Sequence, residues 1–337
     1  MTLHAATRGR HTETEILSQP QCWRECFQAL DEKDEFGRIA KQFPAQSDWL
    51  FIGCGTSYYI ALAAAASWTR ITGLRARAVP ASDLMLFPEL ILTGDSRRQP
   101  VLISRSGHTS EVLKAAEFLE LKENIRTLAI SCATHQPLEE ISTTTLYMLP
   151  ADEQSTVMTR SFTSMLLGLQ ALAATYSGQA DFAESLRQLP AQAQKALDPL
   201  PSRIQQFVQA NDFADYVFLA QGPFFGLANE AMLKVTEMSC SYAQCFHTLE
   251  FRHGPKAIVS PETSLRSSSP KPDSRTRARF CRRSRVWVGP RWWSLIPPAA
   301  LSATRRILLS SSSSKCRSLP GWRPTPCPAS CWGSSRV

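Results

Sequence analysis

Two distant stretches of this chain begin in the same way, and that repeat limits what it can fold into. DWLFIGCGTS (48–57) is a short apolar run ending in glycine-rich turn chemistry, followed by the Ala-rich helix candidate YYIALAAAASWTR (58–70). DYVFLAQGPFFGLANEAMLKVTEMS (215–239) repeats the order of strand, glycine-containing turn and long helix. A third unit of this kind is QPVLISRSGHTSEVLKAAEFLE (99–120), and RTLAISC (126–132) and TTLYMLP (144–150) read as further strands. Strands alternating with helices predict an α/β fold, with parallel sheets flanked by helices. Starting the motif twice, at Trp49 and Tyr216, predicts two similar subdomains, the second apparently incomplete.

The remaining segments fit around these units. Apolar positions at helical spacing (Ile16, Leu17, Trp23, Phe27, Leu30) predict an N-terminal helical arm over 1–47. The first subdomain is assigned to 48–197. A helical stretch from about Arg160 to Ala210, interrupted by Pro190, Pro199 and Pro201, links it to the second unit. Residues 198–263 hold the linker helix and the start of the second subdomain.

The net charge of +8 suggests a nucleic-acid binder until its distribution is considered. Residues 264–337 carry 15 Lys/Arg against the single acid Asp273, which leaves 22 basic and 28 acidic groups in 1–263, a net of −6. The body is mildly acidic, so no nucleic-acid partner is expected. The same tail holds five of eight Trp and four of ten Cys. Disordered tails are poor in both, and folded modules rarely contain one acid in so long a segment. A third explanation is a wrong reading frame from about Thr263. Shifting the codons by one base permits FFSEAGFE in place of SSSPKPDSR, a strand end entering a helix. Coding DNA read across Thr263 tests this frameshift. A chain truly carrying this tail is expected to leave the second βα unit without flanking strands, with poor solubility or lost activity.

No apolar run is long enough to span a bilayer and the N-terminus lacks a secretory signal, so a cytoplasmic protein with reduced thiols and no membrane partner is expected. Neither CWREC nor CSYAQC has zinc-type spacing with nearby histidines, so no metal is expected.

Chemistry concentrates in four places. In ISRSGHTSE, the residues Ser104, Ser106, Gly107, His108 and Thr109 lie between a strand and a helix N-terminus, where unpaired N–H groups and hydroxyls suit an anion as well as an ordinary helix cap. GCGTS (53–57) offers a second set of donors at the corresponding turn; it is no dinucleotide fingerprint, because the third glycine is missing. Lys234 and Glu237 lie one helical turn apart, as a surface ion pair or a working pair. His253, before Gly254-Pro255, is held at a turn, as an acid–base group or a packing histidine.

Together GCGTS, SRSGHT, STVMTRSFTSML and KVTEMS…EFRHGP resemble the sugar isomerase (SIS) family over roughly residues 13–263. The likeness is to the isomerase half of glutamine–fructose-6-phosphate transaminase and to SIS-type glucosamine-6-phosphate deaminases. The resemblance implies a homodimer with shared active sites that acts on a sugar phosphate without a cofactor. Ser104, Ser106 and Thr109 would hold the phosphate, with Arg105 where the transaminase has a glutamine, and Thr56 and Ser57 would complete the pocket. Glu237 would move a proton between C1 and C2 beside Lys234, and His253, from the neighbouring subunit, would open the ring. Thr159 would be a further substrate contact, next to Met158, which replaces a serine. Met1 leads within a few residues into the helical arm, so glutamine-dependent synthesis is not expected of this chain alone. The implied reaction is deamination of glucosamine 6-phosphate. The alternatives are a deglycase, a galactosamine-6-phosphate deaminase or isomerase, a glutaminase-lacking protein bearing the transaminase name, and a non-catalytic sugar-phosphate sensor.

Overall fold

The computed structural model describes residues 9–45, 47–94 and 97–268. The expected out-of-frame segment lies, beyond Ser268, outside the described residues. Three helices open the chain, α1 (Arg10–Leu17), α2 (Gln19–Glu32) and α3 (Glu35–Gln42). The first sheet follows as β1 (Asp48–Gly53), α4 (Thr56–Thr72), β2 (Ala76–Pro80), the short helices α5 (Ala81–Leu86) and α6 (Pro88–Ile91), β3 (Arg98–Ile103) and α7 (Ser110–Glu117). It continues with β4 (Leu128–Ser131), α8 (Pro137–Ile141) and β5 (Thr144–Tyr147). Three helices then lead away, α9 (Arg160–Ser177), α10 (Ala180–Leu197) and α11 (Leu200–Gln209). The second sheet comprises β6 (Asp215–Ala220), α12 (Pro223–Ser239), β7 (Tyr242–His247) and β8 (Thr263–Ser268).

All five strands of the first sheet are parallel, in the order β2-β1-β3-β4-β5. Strand β1 explains why both faces are covered. Trp49 and Phe51 point into a core shared with α2, α4 and α9, while Leu50 and Ile52 point into a second core with α5 and α7. A strand apolar on both faces needs helices on both sides, as parallel sheets have. The order reverses between β1 and β3, the switch point at which open α/β sheets bind ligands beyond their carboxyl ends. GCGTS follows β1 and SRSGHT follows β3, so both turns converge there.

Helices α2 and α3 pack into the first core through Cys22, Cys26, Phe27, Leu30, Phe36 and Ile39. Beyond α9 the expected interruption at Pro190 is absent: Pro190 lies inside α10. The chain breaks instead at Gly178, which ends α9 in the left-handed region at φ 65°, where glycine is strain-free.

The second sheet differs from the sequence expectation of an unflanked βα unit. Strand β6 pairs in parallel with β7 on one side and β8 on the other. Ladder hydrogen bonds belong to the backbone and make weak demands on side chains. YAQCFH and TSLRSS can therefore pair without the apolar runs that mark buried strands. Their burial is poor all the same: no residue of β7 is buried, and in β8 burial stops after Leu265.

Candidate active site

Glycines let the first two turns close tightly. A Cβ on Gly53 would sit 2.6 Å from the Ser57 carbonyl carbon, so α4 starts at once, and Gly55 adopts φ 52°, ψ −127° at its N-cap. Ser57 donates its N–H to the Cys54 carbonyl at 3.0 Å, and Thr56 and Ser57 form the first turn of α4. In the turn after β3, Gly107 has φ 68° and leaves no room for a Cβ, which would lie 2.6 Å from Gln136 Cβ. Ser104 is buried beneath this turn, its Oγ 2.9 Å from Thr109 Oγ1 and accepting the Gly107 N–H at 3.2 Å. Ser106 Oγ accepts the His108 N–H at 3.2 Å.

Helix α12 crosses α4 at backbone distance. A Cβ on Gly226 would lie 2.3 Å from the Tyr59 carbonyl oxygen and 2.8 Å from the Ala63 nitrogen. This crossing lays Glu230, Lys234 and Glu237 over the start of α4. Lys234 Nζ donates to Glu237 Oε2 at 2.7 Å and to Thr56 Oγ1 at 3.3 Å, and it pairs with Glu230 Oε1 at 3.2 Å. Thr56 Oγ1 in turn donates to Glu230 Oε1 at 3.3 Å. Burial pushes the Glu230 carboxyl pKa up, against the opposing pull of Lys234 and the Thr56 hydroxyl. Its second oxygen, Oε2, has no partner among the described residues.

Between these elements is a cleft of about 180 Å³. Thr56, Ser57, Arg105, Ser106, Thr109, Lys234 and Glu237 line it, with Cys54, Thr156, Val157 and Met158 completing the wall. Burial, with Glu111 adding to it, raises the Cys54 pKa, so this residue stays a thiol rather than a thiolate nucleophile. Three expected site residues stand off the wall. Ser104 braces the turn from behind. Thr159 immediately precedes α9, its N–H and hydroxyl both directed at Glu153 Oε1 at 2.7 and 2.5 Å. His253 is exposed at the end of the 3₁₀ turn Glu250–Arg252. No group of three or more His, Cys, Asp or Glu among the described residues could hold a metal ion, and no described helix is long and apolar enough to cross a membrane.

The family model described as "SIS domain" matches residues 45–175, the whole first sheet. Over 280 residues the chain is 30% identical to a Streptomyces coelicolor protein provisionally named a D-galactosamine-6-phosphate deaminase, covering 77% of this chain and 70% of that one. The chain belongs to the SIS-domain family. Among solved SIS structures, glucosamine-6-phosphate deaminase from Thermotoga maritima superposes with a TM-score of 0.70 at 29% identity, covering 82% of each chain. The glutamine–fructose-6-phosphate aminotransferase of Xylella fastidiosa strain Temecula1 is 28% identical over 268 residues. That match takes in 74% of this chain and 43% of the enzyme, so the SIS chain spans about two fifths of such aminotransferases.

Sequence reasoning overlooked three carboxylates behind the wall of this cleft. Glu230 was detectable, because Glu230, Lys234 and Glu237 follow at i, i+4 and i+7 on one helix face. Glu15 left no such signal, since its donors come from a distant segment, and Glu153 left none because its donors sit in a loop and the start of a helix, with no periodic spacing. Glu153 accepts from Thr159 and Ser161 and lies 3.9 Å from Arg105.

Proposed function

We propose that the protein is an amino-sugar-phosphate deaminase, converting glucosamine 6-phosphate to fructose 6-phosphate and ammonia in the cytoplasm. The observation that carries the proposal is the Lys234–Glu237 pair at 2.7 Å, facing the hydroxyls of Thr56, Ser57, Ser106 and Thr109 across one cleft. Two helix N-termini and Arg105 supply donors and positive charge for a phosphate. That end anchors the open-chain sugar with its first carbons toward α12. Glu237 takes the proton from C2 and returns it to C1, which turns the 2-amine into an imine. Water then adds to the imine carbon and ammonia leaves. The neighbouring Lys234 ammonium stabilises negative charge on oxygen during the transfer. Ring opening falls to His253 of the neighbouring subunit in a homodimer. The exposure of His253 and its place off the cleft wall fit delivery in trans.

The test is ammonia release from glucosamine 6-phosphate. Glu237→Gln should lower kcat by on the order of 10³, the range expected for a general base, with the fold retained by circular dichroism. Turnover at the native rate in this variant would remove Glu237 from the chemistry. A second reading, the galactosamine epimer, is favoured by the Streptomyces relative named for that substrate. Comparing kcat/KM for the two amino sugars decides between them.

A further inference from the structure

One buried carboxylate near the cleft has no part in this chemistry. Glu15, on α1, is 4% exposed. Its Oε1 accepts the backbone N–H groups of Gln154 at 2.6 Å and Ser155 at 3.2 Å, and its Oε2 accepts the Ser155 hydroxyl. The next three residues, Thr156, Val157 and Met158, form one wall of the cleft. Arg105, itself on the cleft, donates to the Ser155 carbonyl at 3.1 Å. The short segment before the wall is thus held by a carboxylate of the N-terminal arm and a guanidinium of the phosphate-side turn.

Burying a carboxylate is costly unless donors replace its water. Glu15 has three donors, all in Gln154 and Ser155. The start of α9 is bound by a different carboxylate, Glu153, through the N–H and hydroxyl of Thr159 and the hydroxyl of Ser161. Docking of α1 alone would require no ionisable group, and an apolar side chain would serve better.

We propose that Glu15 is a positioning residue. By fixing the 154–155 backbone it sets the Thr156–Met158 wall at its distance from the Ser106–Thr109 turn, and so places the sugar in front of Glu237. The inference rests on the cleft being the amino-sugar-phosphate site, and its test has one readout that does not.

In the purified full chain, backbone hydrogen exchange is followed by mass spectrometry without substrate. Glu15→Ala should speed exchange over residues 154–158 by about tenfold, as expected on losing charge-assisted hydrogen bonds, and leave 165–172 in α9 unchanged. In the ammonia assay the same variant should raise KM by about tenfold with kcat within about threefold, the pattern of lost ground-state binding. Glu15→Gln keeps an oxygen for both N–H groups and should return both readouts to within about threefold of native. Ser155→Ala removes only the hydroxyl and should act in the same direction but less; it carries the test if Glu15→Ala does not fold. Unchanged exchange at 154–158 in the Glu15 and Ser155 variants would overturn the proposal. So would a Glu15→Ala protein that melts earlier at native KM, or a Glu15→Gln protein as impaired as Glu15→Ala. If the native chain turns over no amino sugar phosphate, the functional reading fails by itself, and exchange still decides whether Glu15 holds the wall.

Discussion

Strands β1 and β6 are each six residues long, and each passes through a left-handed glycine into a 17-residue helix. Gly55 has φ 52°, ψ −127° and Gly222 has φ 57°, ψ −135°. From that shared start the two halves diverge. In β1 every residue after Asp48 is buried, inside a five-stranded sheet with a core on each face. In β6 three of six are buried, and the buried cluster beneath it is Val217, Leu219, Phe251 and Leu265. Met238, Tyr242, Leu249 and Ile258 stay exposed around it. The comparison separates two requirements. A βα unit encodes its own turn and helix, but its burial depends on what the rest of the chain supplies. The cleft takes from the second half only α12, while most of the buried apolar side chains lie in the first half.

Three experiments can break or sharpen this contrast. The largest expected effect is in amide exchange: β6 should exchange about a hundredfold faster than β1 and β3, an opening free energy roughly 3 kcal/mol lower. Equal protection would mean that the two halves unfold as one unit. A matched pair of core truncations comes next. Leu102 and Leu219 are both fully buried on inner strands. Leu102→Ala should cost about 4 kcal/mol, because its two-layered surroundings cannot collapse, and Leu219→Ala about 2 kcal/mol. Denaturant unfolding measures both, and a larger loss at Leu219 would refute the ordering. The smallest effect concerns β8. Burial depresses the pKa of Arg266, which lies 4.6 Å from the Phe207 ring centroid. Arg266→Val should raise stability by about 1 kcal/mol, since a valine suits a half-buried parallel strand and needs no ion desolvated. A loss instead would show that the contact with Phe207 outweighs desolvation.

What could be read from the chain depended on whether the signal was local. The turns at Gly53–Ser57 and Ser104–Thr109 declared themselves because glycine and hydroxyl residues there meet local backbone demands, and seven of the ten expected site residues do line the cleft. Strand β2 went unseen because ARAVP buries only Val79, and β7 because YAQCFH has no apolar run. Pro190 was over-read as a break. Glu15 was invisible for another reason: it meets its donors 139 and 140 residues away, so only the folded topology explains its burial. Helix periodicity predicted the arm at residues 1–47; that it grips the cleft wall could not be seen from periodicity.

The close crossing at Gly226 also acts as an index mark between the two halves. Residues of alternating charge follow it along α12 at about one-turn intervals: Glu230, Lys234, Glu237. A slip of one turn, about 5.4 Å, would bring a carboxylate to the place where an ammonium now meets Thr56, and would invert the field felt by an arriving anion. The next turn carries Asn229 and Glu230, whose side chains cannot enter a gap that leaves only 2.3 Å between a Cβ and the Tyr59 oxygen. The missing side chain thereby selects one register and, with it, the sign of charge presented to the ligand.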